Sequence, residues 1–514
     1  MPIASQQLST KHPLTNNSLK QRTAQGLIWG GLSNGMMQLL GAVFGVILLR
    51  YLTPADYGKM AALVVFINVG NSLQESGFTA ALANRRDAAH EDYNAVFWFN
   101  VIVGTVIYAV LFAAAPAIAR FYREPVLQPL ARFAFVGLWV SSLGICQQAW
   151  LFSHLRVKHN SLINLTALIV SNALGIAMVM HGLAFWGLAA QSVAYIAVGT
   201  LLRWHVSPWR PTLHIDLRPA WRMFGFSSKL LVNSLAFQLN NNAFGLLLNR
   251  FYTGGHVAGV YSNARKWDDM AIATVGGMVQ GVAQPVLRRS LGAGRGDAAA
   301  VFRKLLRFTC FVSFPALLGL GLIAEDFIVL LVGERWHESA MLLALLCVWG
   351  AFSPVVTLFS NLVIACERST INMAIGVVNC ALVWGGIVAI HAAGGGLWAM
   401  VTYYVVLNIA WLLVWQACAH SLIRLSWRHA VADTVPFFLF ALAVMVATWW
   451  LTRVMPLSWL RVAARVALAA ALYVGLLYVA GARILRQSID YIFHRAAPAA
   501  DSHAAPQQPT SPQP

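Results

Sequence analysis

Apolar residues in this chain run together in long blocks instead of alternating, and short polar segments part the blocks. A helix needs about 20 apolar residues to cross a bilayer. Fourteen blocks qualify: residues 24–49, 59–81, 95–119, 126–149, 159–181, 183–206, 223–249, 257–285, 305–326, 338–364, 370–391, 394–419, 432–452 and 459–481. The pattern predicts fourteen membrane-spanning helices and no sheet. The narrowest separations are the turn at His181-Gly182 and the one at residues 392–396. After about Arg495 the tail is rich in Pro, Ala and Gln, a composition that builds no packed core.

The chain also repeats itself. An offset of 200 residues sets QLLGAVFGVILLRYLT (38–53) over QLNNNAFGLLLNRFYT (238–253), with seven identities in 16 positions that include Gly45/Gly245 and Arg50/Arg250. One residue of slippage later, Gly58 meets Gly259. Six spans lie between the two starts, and an even number makes the halves parallel about an axis along the membrane normal. The predicted organisation is a cytoplasmic N-terminal segment (1–22), an N-lobe of helices 1–6 (23–206), an interfacial linker (207–222), a C-lobe of helices 7–12 (223–419), two extra helices (420–485) and a tail (486–514). The linker is basic and aromatic, suited to anionic lipid.

Composition agrees with this reading. Of 514 residues 59% are hydrophobic and 11% charged, against roughly 25% charged in a soluble domain. The 36 Lys+Arg and 18 Asp+Glu leave a net charge of +18. Segments on the side of the termini hold 22 of the Lys and Arg and the opposite segments 8. By the positive-inside rule both termini are expected in the cytoplasm, and the excess needs no nucleic-acid partner. The six cysteines (Cys146, Cys310, Cys347, Cys366, Cys380 and Cys418) lie in or beside apolar stretches without CxxC spacing, so reduced thiols are expected. Residues 1–20 are polar and unlike a cleaved signal peptide. No nucleotide loop or metal-ligand spacing stands out, so no cofactor and no metal are expected. No connecting loop exceeds about 20 residues, which argues against an enzyme with a large extracytoplasmic domain.

Four stretches carry a resemblance: QRTAQGLIWGG (21–31), LLRYLTPADYG (48–58), QESGFTAALANRRD (74–87) and YNAVFWFN (93–100). They are similar to the polysaccharide transport family of oligosaccharide flippases, in the multidrug/oligosaccharidyl-lipid/polysaccharide exporter superfamily. The R-x-L-x-P-x-[DE]-[FY]-G signature, Arg50 to Gly58 here, is the most specific part, and the resemblance runs over about residues 18–485. It implies a fold like that of the lipid II flippase, with 12 or 14 helices in two lobes around a central cavity. The implied substrate is an undecaprenyl-diphosphate-linked oligosaccharide repeat unit. It would cross the bacterial inner membrane for exopolysaccharide, capsule or O-antigen synthesis. Expected partners are membrane lipids, a polysaccharide polymerase and a chain-length regulator. The family offers no catalytic residues to transfer.

A diphosphate headgroup crossing ~30 Å of hydrocarbon calls for a hydrated, cation-lined cavity. An ionisable residue facing lipid costs at least ~2.5–3.5 kcal/mol, so embedded charges mark candidates. Those for substrate binding are Arg50, Arg250, Lys229, Arg265 and Lys266; Arg132, Arg307 and Arg465 are embedded too. Arg265 shares a helix face with Asp268 and Asp269. That group either holds a phosphate-binding or proton-coupled cation, or neutralises itself to allow insertion. Arg50 and Arg250 sit at equal heights in the two lobes, where each either grips phosphate through its donor fork or snorkels to the interface. Lys229 carries the same two readings. Glu75, in span 2 without a basic neighbour in sequence, either couples an ion or holds an arginine. Asn233, Asn240, Asn241 and Asn242 make span 7 too polar for lipid, so it should line water or another helix.

The expected fold is thus an all-α polytopic membrane protein of two pseudo-symmetric six-helix lobes plus two C-terminal helices, and the expected function is an alternating-access flippase. A cation-coupled multidrug antiporter, with Glu75 or Asp268 at its coupling site, is the first alternative. A membrane-embedded glycosyl- or acyltransferase is the second, and the short loops oppose it.

Overall fold

The computed structural model describes residues 16–75, 89–154, 156–218, 235, 238, 239, 241, 242, 244–293 and 295–479. Every regular element among them is a helix. The first group comprises α1 (Asn16–Tyr51), α2 (Pro54–Glu75), α3 (His90–Tyr122), the three short pieces α4 (Leu127–Ala134), α5 (Val136–Ser142) and α6 (Ile145–Ser153), α7 (Val157–Met180) and α8 (Ala184–Val206). The second comprises a helical stretch at 244–251, α9 (His256–Ala293), α10 (Arg295–Val332), a 3-10 turn at Glu334–Trp336, α11 (His337–Ala365), α12 (Ser369–Ala392), α13 (Leu397–Ala410), α14 (Leu412–Ile423), α15 (Trp427–Thr452) and α16 (Trp459–Val479).

Among the described residues, ten helical stretches are long and apolar enough to cross a membrane, with α13 and α14 together forming one of them, or eleven when the pieces at Leu127–Ser142 and Ile145–Ser153, bent by 43°, count as one span. The protein is a multi-pass membrane protein. Three of the fourteen expected spans fall outside that set, for two reasons. Most of 223–249 lies outside the described residues. The spans 59–81 and 257–285 correspond to α2 and α9, whose polar and charged residues dilute their hydropathy. Those two helices pack against each other across the two groups, so part of each polar surface is spared from lipid. The closely spaced spans are separate: Gly182, at φ 83°, parts α7 from α8, and Gly394, at φ 80°, parts α12 from α13. Gly276-Gly277 and Pro285 lie inside the continuous α9.

The second group shares one continuous apolar core running from Phe244 to Leu477. Two carboxylates anchor the last two helices to it. Asp433 of α15 receives Arg303 Nε at 2.6 Å and Arg307 Nε at 3.2 Å, both from α10. Asp326, near the far end of α10, meets Arg461 and Arg465 of α16, each at 2.5 Å. A buried ion costs several kcal/mol to dehydrate unless a partner offsets it, so each pairing fixes how its helix docks. The linker after α8 lies along the start of α3. Asn94 Nδ2 donates to the His214 carbonyl at 2.6 Å, and Asn94 Oδ1 accepts from the Thr212 amide at 2.9 Å.

Candidate functional site

The Arg50–Gly58 signature is a turn that starts α2 and joins the two groups. Thr53 and Asp56 bond reciprocally: the Asp56 amide donates to Thr53 Oγ1 at 3.3 Å, and Asp56 Oδ2 accepts from the Thr53 amide at 3.2 Å. This is a capping box, with Pro54 at the first helical position, where its missing N–H costs nothing. Just before it, Arg50 Nε reaches across to the Leu331 carbonyl at 2.7 Å, at the C-terminal end of α10. The Trp336 indole N–H returns the link, donating to the Leu49 carbonyl at 3.0 Å. Tyr57 packs edge-on against the Trp336 ring, with centroids 6.1 Å apart.

Beyond the turn, α2 and α9 cross at the two glycines that the internal repeat equates. A methyl on Gly58 would run into the Gly255 carbonyl oxygen, and one on Gly259 into the Pro54 carbonyl oxygen. Only glycine lets the backbones come this close. Arg250 mirrors Arg50, with its guanidinium 5.4 Å from the centre of the Phe121 ring near the end of α3. Both repeat-related arginines therefore reach the other helix group at the same end of the molecule. Neither lines the cavity described next.

That cavity, of about 940 Å³, lies between the groups and is walled by α1, α2, α7, α8, α9 and residues 241–245. Tyr57 stands at its Arg50 end. Its lining is mixed, with aliphatic residues beside Asn71, Asn172, Gln191, Asn241 and Asn242. Among the described residues, three charged side chains face it: Arg265, Lys266 and Asp269. Arg265 is already committed, with Nε 3.0 Å from Asp269 and Nη1 donating to the Tyr404 hydroxyl at 3.1 Å. Asp268 turns the other way. It is fully buried, with Oδ2 3.8 Å from Arg265 Nη1 and a carboxylate that accepts no hydrogen bond among the described residues. Adding a side chain to Gly350 of α11 would strike it.

Lys266 differs from its neighbour. No carboxylate lies within ion-pair reach among the described residues, and its Nζ sits over Gly45 of α1, 2.5 Å from where a Cβ would stand. An adjoining space of about 400 Å³ around it is lined by Gln38, Asn172 and Gln191, the last donating to Asn172 Oδ1 at 2.7 Å. Among the described residues Arg265 is balanced by its carboxylates, and Lys266 is the lining cation without one. Such a site attracts an anionic headgroup.

The structure thus brings together four of the residues singled out from sequence, Arg265, Lys266, Asp268 and Asp269, and sets Arg50 and Arg250 apart at the closed end. Lys229, Asn233 and Asn240 lie outside the described residues, as does the Glu75 side chain. Arg307 and Arg465 serve the helix docking, and Arg132 stacks 4.4 Å from the Phe112 ring centre. The sequence reading passed over Gln38, Asn172 and Gln191. Each is a polar residue in an apolar span, the signal that singled out Asn241 and Asn242.

A family model described as "Polysaccharide biosynthesis protein" matches residues 47–341. The chain belongs to that family. It is 26% identical over 433 residues to the lipopolysaccharide biosynthesis protein WzxC of Escherichia coli, covering 82% of this chain and 86% of that one. With the teichuronic acid biosynthesis protein TuaB of Bacillus subtilis the identity is 23% over 402 residues, covering 77% and 80%. A structure of the lipid II flippase MurJ, in an inward closed conformation, superposes with a TM-score of 0.72 at 10% identity, covering 91% of this chain and all of the other. An inward-facing multidrug transporter of the MATE family gives a TM-score of 0.59 at 14% identity, covering 84% and 100%. Both likenesses concern the fold.

Proposed function

We propose that this protein is a flippase that carries undecaprenyl-diphosphate-linked oligosaccharide repeat units across a bacterial inner membrane, for exopolysaccharide, capsule or O-antigen synthesis. The two helix groups act as lobes, 23–206 and 223–419, that rock about the Gly58–Gly259 crossing in alternating access. The termini face the cytoplasm, and the joined Arg50 end faces the periplasm. A polysaccharide polymerase and a chain-length regulator act downstream.

Lys266, a cation in the chamber between the lobes with no carboxylate partner among the described residues, carries the reading. Lys266 offers a full ammonium to a diphosphate, a strong charge-assisted hydrogen bond in a region of low dielectric. Amide side chains around it match a polar headgroup, while the polyprenyl tail stays in lipid. Family membership and relatives such as WzxC and the Rhizobium meliloti succinoglycan biosynthesis transport protein ExoT, 22% identical over 392 residues, support the same direction. A drug-cation antiporter needs an anionic chamber, and the charge here without a described counter-ion, Lys266, has the opposite sign.

Deleting the gene in its native host tests the proposal. Lipid-linked oligosaccharide should accumulate in the cytoplasmic leaflet while surface polymer disappears. Intact polymer together with new sensitivity to cationic compounds overturns the flippase in favour of the antiporter.

A further inference from the structure

A second cavity, of about 450 Å³, lies inside the C-terminal helix group and shares Asn241, Tyr261 and Arg265 with the central chamber. These three residues therefore border both spaces. Arg265 has a contact in each: its Nε holds Asp269, which lines the chamber, and its Nη1 holds the Tyr404 hydroxyl, which lines the second cavity.

The second cavity has a different chemistry from the first. Its aromatic surface comes from Trp349, Trp411, Trp415 and Tyr404, and its polar surface from side-chain amides and hydroxyls. Asn379 Nδ2 points to Asn408 Oδ1 at 3.4 Å, and Ser360 donates to Asn372 Oδ1 at 2.7 Å. No Asp or Glu is among the described lining residues, and Arg265 is the one charge. Gly376 borders the space, and a Cβ there would meet nothing within 4 Å.

Flat aromatic faces beside amides that both donate and accept fit a neutral, hydroxyl-rich ring. A polyprenyl tail would bring no hydrogen-bond partner to these amides and hydroxyls. A metal cation would want oxygen ligands with negative charge. We infer that this cavity is a sugar subsite: it takes the lipid-proximal sugar of a diphosphate-linked oligosaccharide while Lys266 holds the diphosphate in the adjoining chamber. The inference rests on the flippase reading and adds where specificity for the sugar arises. A sugar that hydrogen-bonds to these amides and hydroxyls is favoured over bare lipid, which offers them no such partner.

The test is a titration of the purified full-length protein in nanodiscs, with four probes. These are undecaprenyl diphosphate and the same lipid carrying one glucose, one galactose or one N-acetylglucosamine. At least one glycosylated probe should bind about tenfold tighter than bare lipid. Gly376→Phe, which fills the cavity from its open side, should erase that preference and leave bare-lipid affinity unchanged. Asn379→Ala, a smaller perturbation, should reduce the preference in the same way and serves if the Phe variant fails to fold. Equal affinity for all four probes in the wild type, or a preference that survives in the variants, overturns the subsite and leaves the flippase standing. A wild-type protein that binds none of the four, bare undecaprenyl diphosphate included, overturns the flippase reading itself.

Discussion

Arg265 and Lys266 are adjacent in sequence and opposite in state. Successive helix residues point about 100° apart, and that rotation gives Arg265 two carboxylates and a tyrosine while Lys266 projects over Gly45 with none. Lys266→Gln should therefore weaken undecaprenyl diphosphate binding about tenfold or more, and Lys266→Arg should retain most of it, since a charge-assisted bond contributes about 1.5–3 kcal/mol. Titration of both purified variants decides this. Arg265 behaves differently because Asp268 is fully buried against it. Removing one partner of a buried pair costs about 3–5 kcal/mol, so Arg265→Ala should lower the amount of folded protein in the membrane. Combining it with Asp268→Asn should restore that amount, as read on immunoblots of membrane fractions. The spacing of Arg265, Asp268 and Asp269 made the pairing legible in sequence. The free state of Lys266 was not, because it depends on what α1 places opposite, and Gly45 lies more than 200 residues away.

At the scale of elements, the most sequence-specific motif is an assembly of structural parts. Thr53, Pro54 and Asp56 start α2, Arg50 and Tyr57 reach α10 and Trp336, and Gly58 admits the backbone of the α9 turn. Arg50, expected as a phosphate ligand or a snorkelling residue, instead caps the α10 carbonyls, where a cation also complements the helix dipole. A side chain at Gly58 or Gly259 meets a carbonyl oxygen, which cannot move aside as a flexible side chain would. Gly58→Val and Gly259→Val should thus each hold the Arg50 end apart. The expected result is loss of polysaccharide export at normal protein level, with faster amide exchange at Leu49–Thr53. Normal exchange there would show that closure does not run through this crossing. The docking of α16 makes a separate prediction. Asp326→Leu leaves Arg461 and Arg465 buried without their carboxylate, and should cut the melting temperature in detergent far more than Glu325→Leu, whose side chain is half-exposed and 3.9 Å from Arg461.

For the whole molecule, the two groups touch through α2 and α9 and through α1 and α10, and they enclose the chamber between those contacts. The proposed cytoplasmic placement of the termini requires the Arg50 end to face outward. A cysteine at Glu334, exposed at that end, should react with a membrane-impermeant maleimide added to intact spheroplasts, and one at Arg428, exposed at the start of α15, should react only after lysis. The reverse pattern would invert the topology and with it the direction assigned to transport.

Long apolar blocks, an offset repeat and a skewed distribution of basic residues are one-dimensional signals. They are readable because the bilayer imposes a length and a polarity on each span, whatever its neighbours are. That is why the helical class, the family resemblance and the Arg265–Asp269 pairing could be read from the chain alone. Packing decided the rest. The repeat pairs Gly58 with Gly259 and Arg50 with Arg250, but only tertiary structure shows each pair at the contact between the helix groups. Likewise Trp411, Asn379 and Asn408 are unremarkable residues of apolar spans until α12, α13 and α14 bring them around one cavity. A side chain's partners across a lobe are set by helix rotation and docking, and no local pattern encodes those.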